Sequence, residues 1–131
     1  MKALPLITLT LLLSIAGLTP LAAASPYDAV QAQAMIRQDE RSLAQAQQAG
    51  TTNYPEAKTA LRQIVNLSGN LLVMSPPAGV SPERWKQLNE SVELAAIHGY
   101  EAAKHKNATD LAAALTALAP SLSKLRNQLG L

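Results

Sequence analysis

The chain has 131 residues, of which 48% are hydrophobic, 3% aromatic and 15% charged, and it contains no cysteine. The length suits one ordinary domain. The missing thiol excludes disulfide bonds, zinc–thiolate and iron–sulfur sites, a cysteine nucleophile and thioether-attached haem. The formal net charge is only +2, because 11 Lys and Arg residues nearly balance 9 Asp and Glu residues. Since the basic residues are not clustered and aromatic residues are few, the composition predicts no nucleic-acid binding.

The first 24 residues have the pattern of a secretory signal peptide. Lys2 supplies the positive start, residues 6–18 form an apolar run, and Pro20 follows it. Three alanines at residues 22–24 suit the pocket of a signal peptidase. The alternative is a retained membrane anchor, but the apolar run is 13 residues long, against roughly 20 needed to span a bilayer. The pattern therefore predicts cleavage after Ala24.

The predicted mature chain comprises residues 25–131, which is 107 of the 131 residues. Its net charge is +1, because Lys2 is the only charged side chain that cleavage removes. No later segment is long and apolar enough to span a membrane. We therefore expect a periplasmic or secreted protein. Because the chain has no cysteine, an oxidising compartment adds nothing to its stability, which must come from packing.

Capping signals predict the first two of four helices. Helix 1 is predicted to begin with Ser25 as its N-cap and Pro26 in its first turn. Asp28 is predicted to close a capping box with Ser25. It is expected to run to about Ala49 and to end at Gly50. Helix 2 is predicted to begin in the same way near residues 53–56. It should end before residues 76–79, a Pro-Pro-Ala-Gly segment that breaks helices.

Apolar periodicity predicts the other two helices. Helix 3 opens at Ser81 with Pro82 in its first turn. Its apolar stripe consists of Trp85, Leu88, Val92, Ala95, Ala96, Gly99 and Ala103. Helix 4 follows a turn at residues 107–110. Leucines recur along it at alternating spacings of four and three: Leu111, Leu115, Leu118, Leu122, Leu125 and Leu129. Four amphipathic helices with short connections predict an all-α fold, an antiparallel up-and-down four-helix bundle over residues 25–131. A coiled-coil dimer is the alternative.

Two residues depart from the ideal helical pattern. Asp39 falls within the apolar stripe of helix 1, which consists of Ala32, Ile36, Leu43 and Ala46. Such a carboxylate usually pairs with a cation. The available partners are Arg37, Arg41, Arg62 and Arg126. Pro120 lies inside helix 4 and cannot donate to the carbonyl of Thr116, so we expect a kink or break there.

A particular order of features runs through the second half of the chain. A Met-Ser-Pro-Pro-Ala-Gly loop at residues 74–79 precedes Trp85 and the Ala-rich third helix. A turn with an aspartate at residues 107–110 then leads to Ser-Leu-Ser-Lys-Leu-Arg-Asn-Gln-Leu at residues 121–129. In this order and spacing, about half of the mature chain resembles the cytochrome c′ group and related four-helix c-type cytochromes. The resemblance implies an exported up-and-down bundle and also suggests a homodimer.

The haem motif of that group is degenerate in this chain. In the group, helix 4 ends in a motif of the Ser-Cys-x-x-Cys-His-x-x-Phe type, whose thiols bond haem and whose histidine ligates iron. The match places Leu122 and Leu125 at the cysteine positions and Arg126 at the histidine position. Leucine forms no thioether, and arginine stays protonated and ligates no iron. The resemblance therefore implies a haemless member, in which the two leucines help to fill the space of a haem.

Two alternatives keep a metal or a cofactor. By analogy with b-type four-helix cytochromes, Met35 would ligate a non-covalent haem, although helix 4 offers no histidine opposite it. A copper or zinc site would use His98, Glu101 and His105, which lie near one face of helix 3. The two histidines are two turns apart, about 10 Å along the axis, which is too far for one ion without distortion. A solvated polar edge is therefore the competing interpretation of these three residues.

We expect a protein that is not an enzyme and has no cofactor, and that acts as a binding or structural module. The sequence shows neither a nucleophile arrangement nor a phosphate-binding glycine loop. The partner, a protein or a small molecule, is not identified by the sequence. The alternatives are a periplasmic electron-transfer or gas-binding protein with non-covalent haem, and a copper- or zinc-binding periplasmic stress protein.

Overall fold

A computed structural model describes residues 25–131. The predicted signal peptide, residues 1–24, lies outside the described residues. Within residues 25–131 there are four helices: α1 (Ala29–Ala49), α2 (Tyr54–Leu72), α3 (Pro82–Lys104) and α4 (Ala108–Gln128). This part of the chain has no β-strand, only an isolated bridge between Ser25 and Met74. The prediction of an all-α, four-helix fold is confirmed.

Side-chain caps begin three of the helices where the sequence predicts them. Each cap accepts a hydrogen bond from the backbone N–H three residues later, which satisfies a donor that the helix itself leaves free. The pairs are Asn53 with Glu56 at 3.2 Å, Ser81 with Arg84 at 3.1 Å, and Asn107 with Asp110 at 3.0 Å. Local sequence chemistry thus determines the starts of α2, α3 and α4.

The predicted N-cap of helix 1 is wrong by three residues. The helix begins at Ala29 and its N-cap is Asp28, whose carboxylate accepts from the backbone N–H of Gln31 at 3.1 Å. Ser25 does not cap a helix, because its backbone is hydrogen-bonded elsewhere. Its N–H donates to the carbonyl of Val73 at 3.0 Å, and its carbonyl accepts from Ser75 N–H at 2.7 Å. An aspartate is as good a cap as a serine, so the bridge at Ser25 leaves Asp28 to begin the helix.

The core lies between the four helices and consists mainly of alanine, leucine and isoleucine. Its completely buried members include Ala32, Leu61, Ile64, Leu71, Leu111, Leu118 and Leu125. α2 packs against α1 and α3, and α3 packs against α4. Contact between α4 and α1 is the least extensive of the four interfaces in the described part of the chain. None of the described helices is both long and apolar enough to cross a bilayer.

Gly99 lets three helices approach each other closely. A Cβ atom at this position would lie 3.0 Å from Leu61 Cδ1 on α2 and 3.3 Å from Ala114 Cβ on α4. Such distances are shorter than ordinary van der Waals contact. Glycine in a helix interior costs about 1 kcal/mol relative to alanine, and here it permits a close approach of α2 and α4 to α3.

α4 runs unbroken through Pro120. Of the two predicted outcomes, a kink or a break, the break is therefore wrong. Pro120 and Thr116 are both exposed, so water can donate to the backbone carbonyl that the proline ring leaves without a donor. The leucine seam faces the core as expected: four leucines are buried, while Leu115 and Leu129 are half-buried.

Candidate functional site

A cleft of about 490 Å³ lies between the C-terminal half of α3 and the first half of α4. We call it the α3–α4 cleft, and its polar lining consists of His98, Glu101, His105, Asn107 and Asp110. The rest of the lining is alanine, from Ala95, Ala102, Ala113, Ala114 and Ala117. Small side chains on both helices leave the space open, and its volume is within the range of small-molecule sites.

Four of the five polar side chains of the cleft form two pairs. His105 Nε2 lies 3.5 Å from Glu101 Oε1, and both side chains are at least half exposed. Asn107 Nδ2 donates to Asp110 Oδ2 at 2.9 Å. Across residues 25–131, no three histidine, cysteine, aspartate or glutamate side chains are grouped so that they could hold one metal ion. The predicted residues His98, Glu101 and His105 therefore share one cleft but are not arranged as a preformed metal centre.

The three residues that the resemblance places at haem-motif positions are divided between the core and the surface. Leu122 and Leu125 are 2% and 0% exposed and belong to the hydrophobic core. Arg126 turns towards α1, where its Nε lies 3.2 Å from Glu40 Oε2 in a half-exposed ion pair. Met35 is partly buried and packs against the core. The two leucines thus occupy interior volume, while the arginine binds a surface carboxylate.

Comparison with protein-family models, with curated proteins and with solved structures gives no match to this chain. The resemblance to the cytochrome c′ group therefore rests on the sequence features described above.

Asp39 lies completely buried in α1, and neither of its carboxylate oxygens has a hydrogen-bond partner. Desolvation, with a smaller contribution from the negative charge of Glu40, raises the pKa of this carboxyl group to about 8. A charge in an apolar interior is costly, so the protonated form is favoured there. At neutral pH, Asp39 is thus mainly a neutral carboxylic acid.

The predicted ion pair of Asp39 is wrong, because the candidate arginines bind other groups or remain exposed. Arg126 pairs with Glu40. Arg41 Nη2 donates to Gln38 Oε1 at 2.7 Å, and Arg62 Nη2 donates to the hydroxyl of Tyr100 at 3.1 Å. Arg37 is exposed. The guanidinium groups stay near solvent, where their hydration is retained, while the carboxyl group points into the core.

Two further polar side chains, Ser68 and Asn89, are buried in the described helices. Ser68 Oγ and Asn89 Oδ1 are buried without a hydrogen-bond partner. The amide of Asn89 donates to the carbonyl of Trp85 at 2.9 Å, one turn earlier. Trp85 Nε1 in turn donates to the carbonyl of Met74 at 3.1 Å, which makes the tryptophan a core anchor as expected. Sequence reasoning missed the burial of Asn89, although its helical spacing from Trp85 and Val92 was an available signal.

Sequence reasoning also missed that the start of α4 lines the cleft. Asn107 and Asp110 are recognisable only as cap and first-turn residues, because their local pattern explains them fully. The helix pairing that brings them opposite His98 and Glu101 is not a local property. A carboxylate in the first turn of a helix has a structural explanation, so nothing in the sequence singled out Asp110 as a cleft residue.

Proposed function

We propose that the protein is an exported, haemless four-helix bundle of the cytochrome c′ type that acts as a non-catalytic binding or structural module. The observation that carries the proposal is the burial of Leu122 and Leu125 at the positions of the missing thiols. Apolar side chains there contribute to the core, and neither can attach a haem. The α3–α4 cleft is the proposed surface for a small-molecule or protein ligand.

The up-and-down arrangement of the helices is part of this proposal. Gln45 near the end of α1 contacts Glu56 at the start of α2 at 3.4 Å, while Gln38 contacts Gln63 further along at 3.3 Å. A later residue of α1 thus contacts an earlier residue of α2. This ordering supports antiparallel neighbours, as the short connections between the helices also do.

Haem titration tests the haemless assignment. We expect the spectrum of added haem to be the same with and without the protein, with no protein-dependent Soret band. The reason is that buried leucines occupy the motif positions and Arg126 offers no lone pair to iron. The matched control is Met35→Leu, which removes the candidate axial thioether at similar volume. A Soret band that appears with the natural chain and weakens in Met35→Leu would overturn the proposal in favour of a haem-binding electron-transfer or gas-binding protein.

A copper or zinc protein is the second candidate, because the α3–α4 cleft gathers His98, Glu101 and His105 on one side and Asp110 on the other. Imidazole and carboxylate groups suit both metals. Binding would require the side chains to move from their present pairs. The metal would then bridge α3 and α4 near the end of the bundle.

Calorimetric titration with copper and with zinc tests this second candidate. If the cleft binds metal, we expect heat of binding from the natural chain and its loss in His98→Ala and Glu101→Gln. Glu83→Gln is the matched control, since Glu83 is an exposed carboxylate on the same helix outside the cleft. Heat that is absent, or that is equally reduced in Glu83→Gln, would reject the metal site.

A further inference from the structure

The backbone of Ser25 is held in a bridge of two hydrogen bonds to the segment that follows α2. Its N–H donates to the carbonyl of Val73 at 3.0 Å, and its carbonyl accepts from the N–H of Ser75 at 2.7 Å. Val73 is the C-cap residue of α2. Its carbonyl therefore lies at the helix end that carries partial negative charge and free acceptors.

This end of α2 has no positive side chain of its own. The last turn of the helix contains no basic residue, although a cation near a helix C-terminus is stabilising. In the uncleaved chain, the nitrogen of Ser25 is a neutral amide. It supplies a hydrogen bond to Val73 but no charge.

Cleavage before Ser25 changes the chemistry of this nitrogen. Hydrolysis breaks the C–N bond between residues 24 and 25, and water supplies the hydroxyl of the new carboxyl group and a hydrogen to the nitrogen. At neutral pH the new carboxyl group releases its proton and the new amine takes one up. The product is an α-ammonium group on Ser25, 3.0 Å from the Val73 carbonyl if the bridge is kept.

We propose that Ser25 is the N-terminal residue of the mature protein and that its α-ammonium group is a structural cation bound to the C-terminus of α2. This inference rests on the proposed export of the chain. Processing replaces a neutral hydrogen bond with a charge-assisted one, which is the stronger kind. The mature form is therefore more stable than a chain of the same length whose N-terminus carries no charge.

The residues around Ser25 hold it in place for this role. The ring of Tyr27 meets the ring of Trp85 edge to face, with centroids 6.2 Å apart and an interplanar angle of 88°. The indole N–H of Trp85 donates a hydrogen bond to the carbonyl of Met74, the residue after Val73. Contacts thus join the N-terminal segment to the end of α2 and to the start of α3. A terminus held in this way pays little entropy to keep its ammonium group on Val73.

Three proteins test the proposal: a chain that begins at Ser25, the same chain with an acetylated N-terminus, and a chain that begins at Ala24. Acetylation keeps an N–H donor at Ser25 but removes the charge. We expect the α-amine of the Ser25 chain to have an NMR-measured pKa above the ordinary range of about 7.7–8.0. We expect its thermal midpoint at pH 6 to exceed that of the acetylated chain, with the difference vanishing by about pH 10, where the amine is neutral. Titration of Asp39 is common to both chains and cancels in the difference.

The chain that begins at Ala24 is the positional control. Its charge is one residue further from Val73, so its amine is expected to have an ordinary pKa. An ordinary pKa in the Ser25 chain, or equal midpoints for the free and acetylated chains at pH 6, overturns the structural role of the ammonium group. The intact mass of the protein from an exporting cell is a separate readout. A mature form that begins at another residue overturns the assignment of Ser25, and a full-length form overturns the proposed export as well.

Discussion

Replacing Asp39 with asparagine is expected to flatten the dependence of stability on pH between about pH 4 and pH 8. In the unfolded chain this carboxyl group has its ordinary pKa of 3.8, whereas burial raises the pKa to about 8 in the folded chain. Between these values the folded state binds a proton that the unfolded state has lost. The free energy of unfolding therefore falls as pH rises, by up to about 1.4 kcal/mol per pH unit, and levels off above the folded pKa. The total loss for one such group is on the order of 5 kcal/mol.

Urea unfolding of the natural chain and of Asp39→Asn at several pH values from 5 to 9 measures this effect. The slope with pH is the readout, because a buried amide without partners also alters the absolute stability. Asp28→Asn is the matched control: Asp28 is exposed, and asparagine caps a helix as well as aspartate does. It should keep the slope of the natural chain. If Asp39→Asn keeps the same pH dependence of unfolding free energy as the natural chain, Asp39 does not carry the proton.

Asp39 also shows where sequence reasoning stops. The period of its helix placed it correctly on the buried face, since Ile36 and Leu43 of the same stripe are buried with it. The partner could not be predicted in the same way. Whether an arginine on another helix reaches a given carboxyl group depends on the lateral position of that helix, which helical spacing does not specify. Arg126 came close enough to α1 to bind Glu40, the residue next to Asp39.

The fold was predictable where its determinants are local. Asn53 and Ser81 begin their helices because their side chains bond the backbone three residues on, and both were identified from the sequence. Ser25 was misassigned because its real partners, Val73 and Ser75, are almost fifty residues away along the chain. The α3–α4 cleft was predictable on one side only. His98 and Glu101 share a face of α3 by spacing, whereas the approach of Asp110 depends on packing between helices.

Leu125→Ala is expected to destabilise the protein by about 2–5 kcal/mol, because it removes a completely buried side chain and leaves a cavity. Leu94→Ala is the matched control, since Leu94 is 55% exposed. That change should remain within about 0.5 kcal/mol of the natural chain. Chemical denaturation of the three proteins at one pH measures the difference without interference from Asp39.

The size of the Leu125 effect bears on the proposed loss of haem. In a haem-binding bundle this position would carry a thiol bonded to the cofactor. If Leu125 takes over part of that volume, as proposed, it contributes to the core through its own contacts, as Leu118 does one heptad earlier. The loss for Leu125→Ala should therefore fall in the same range of about 2–5 kcal/mol as that for Leu118→Ala. A loss as small as that of Leu94→Ala would mean that Leu125 does not fill the interior, and the haemless interpretation would lose its structural support.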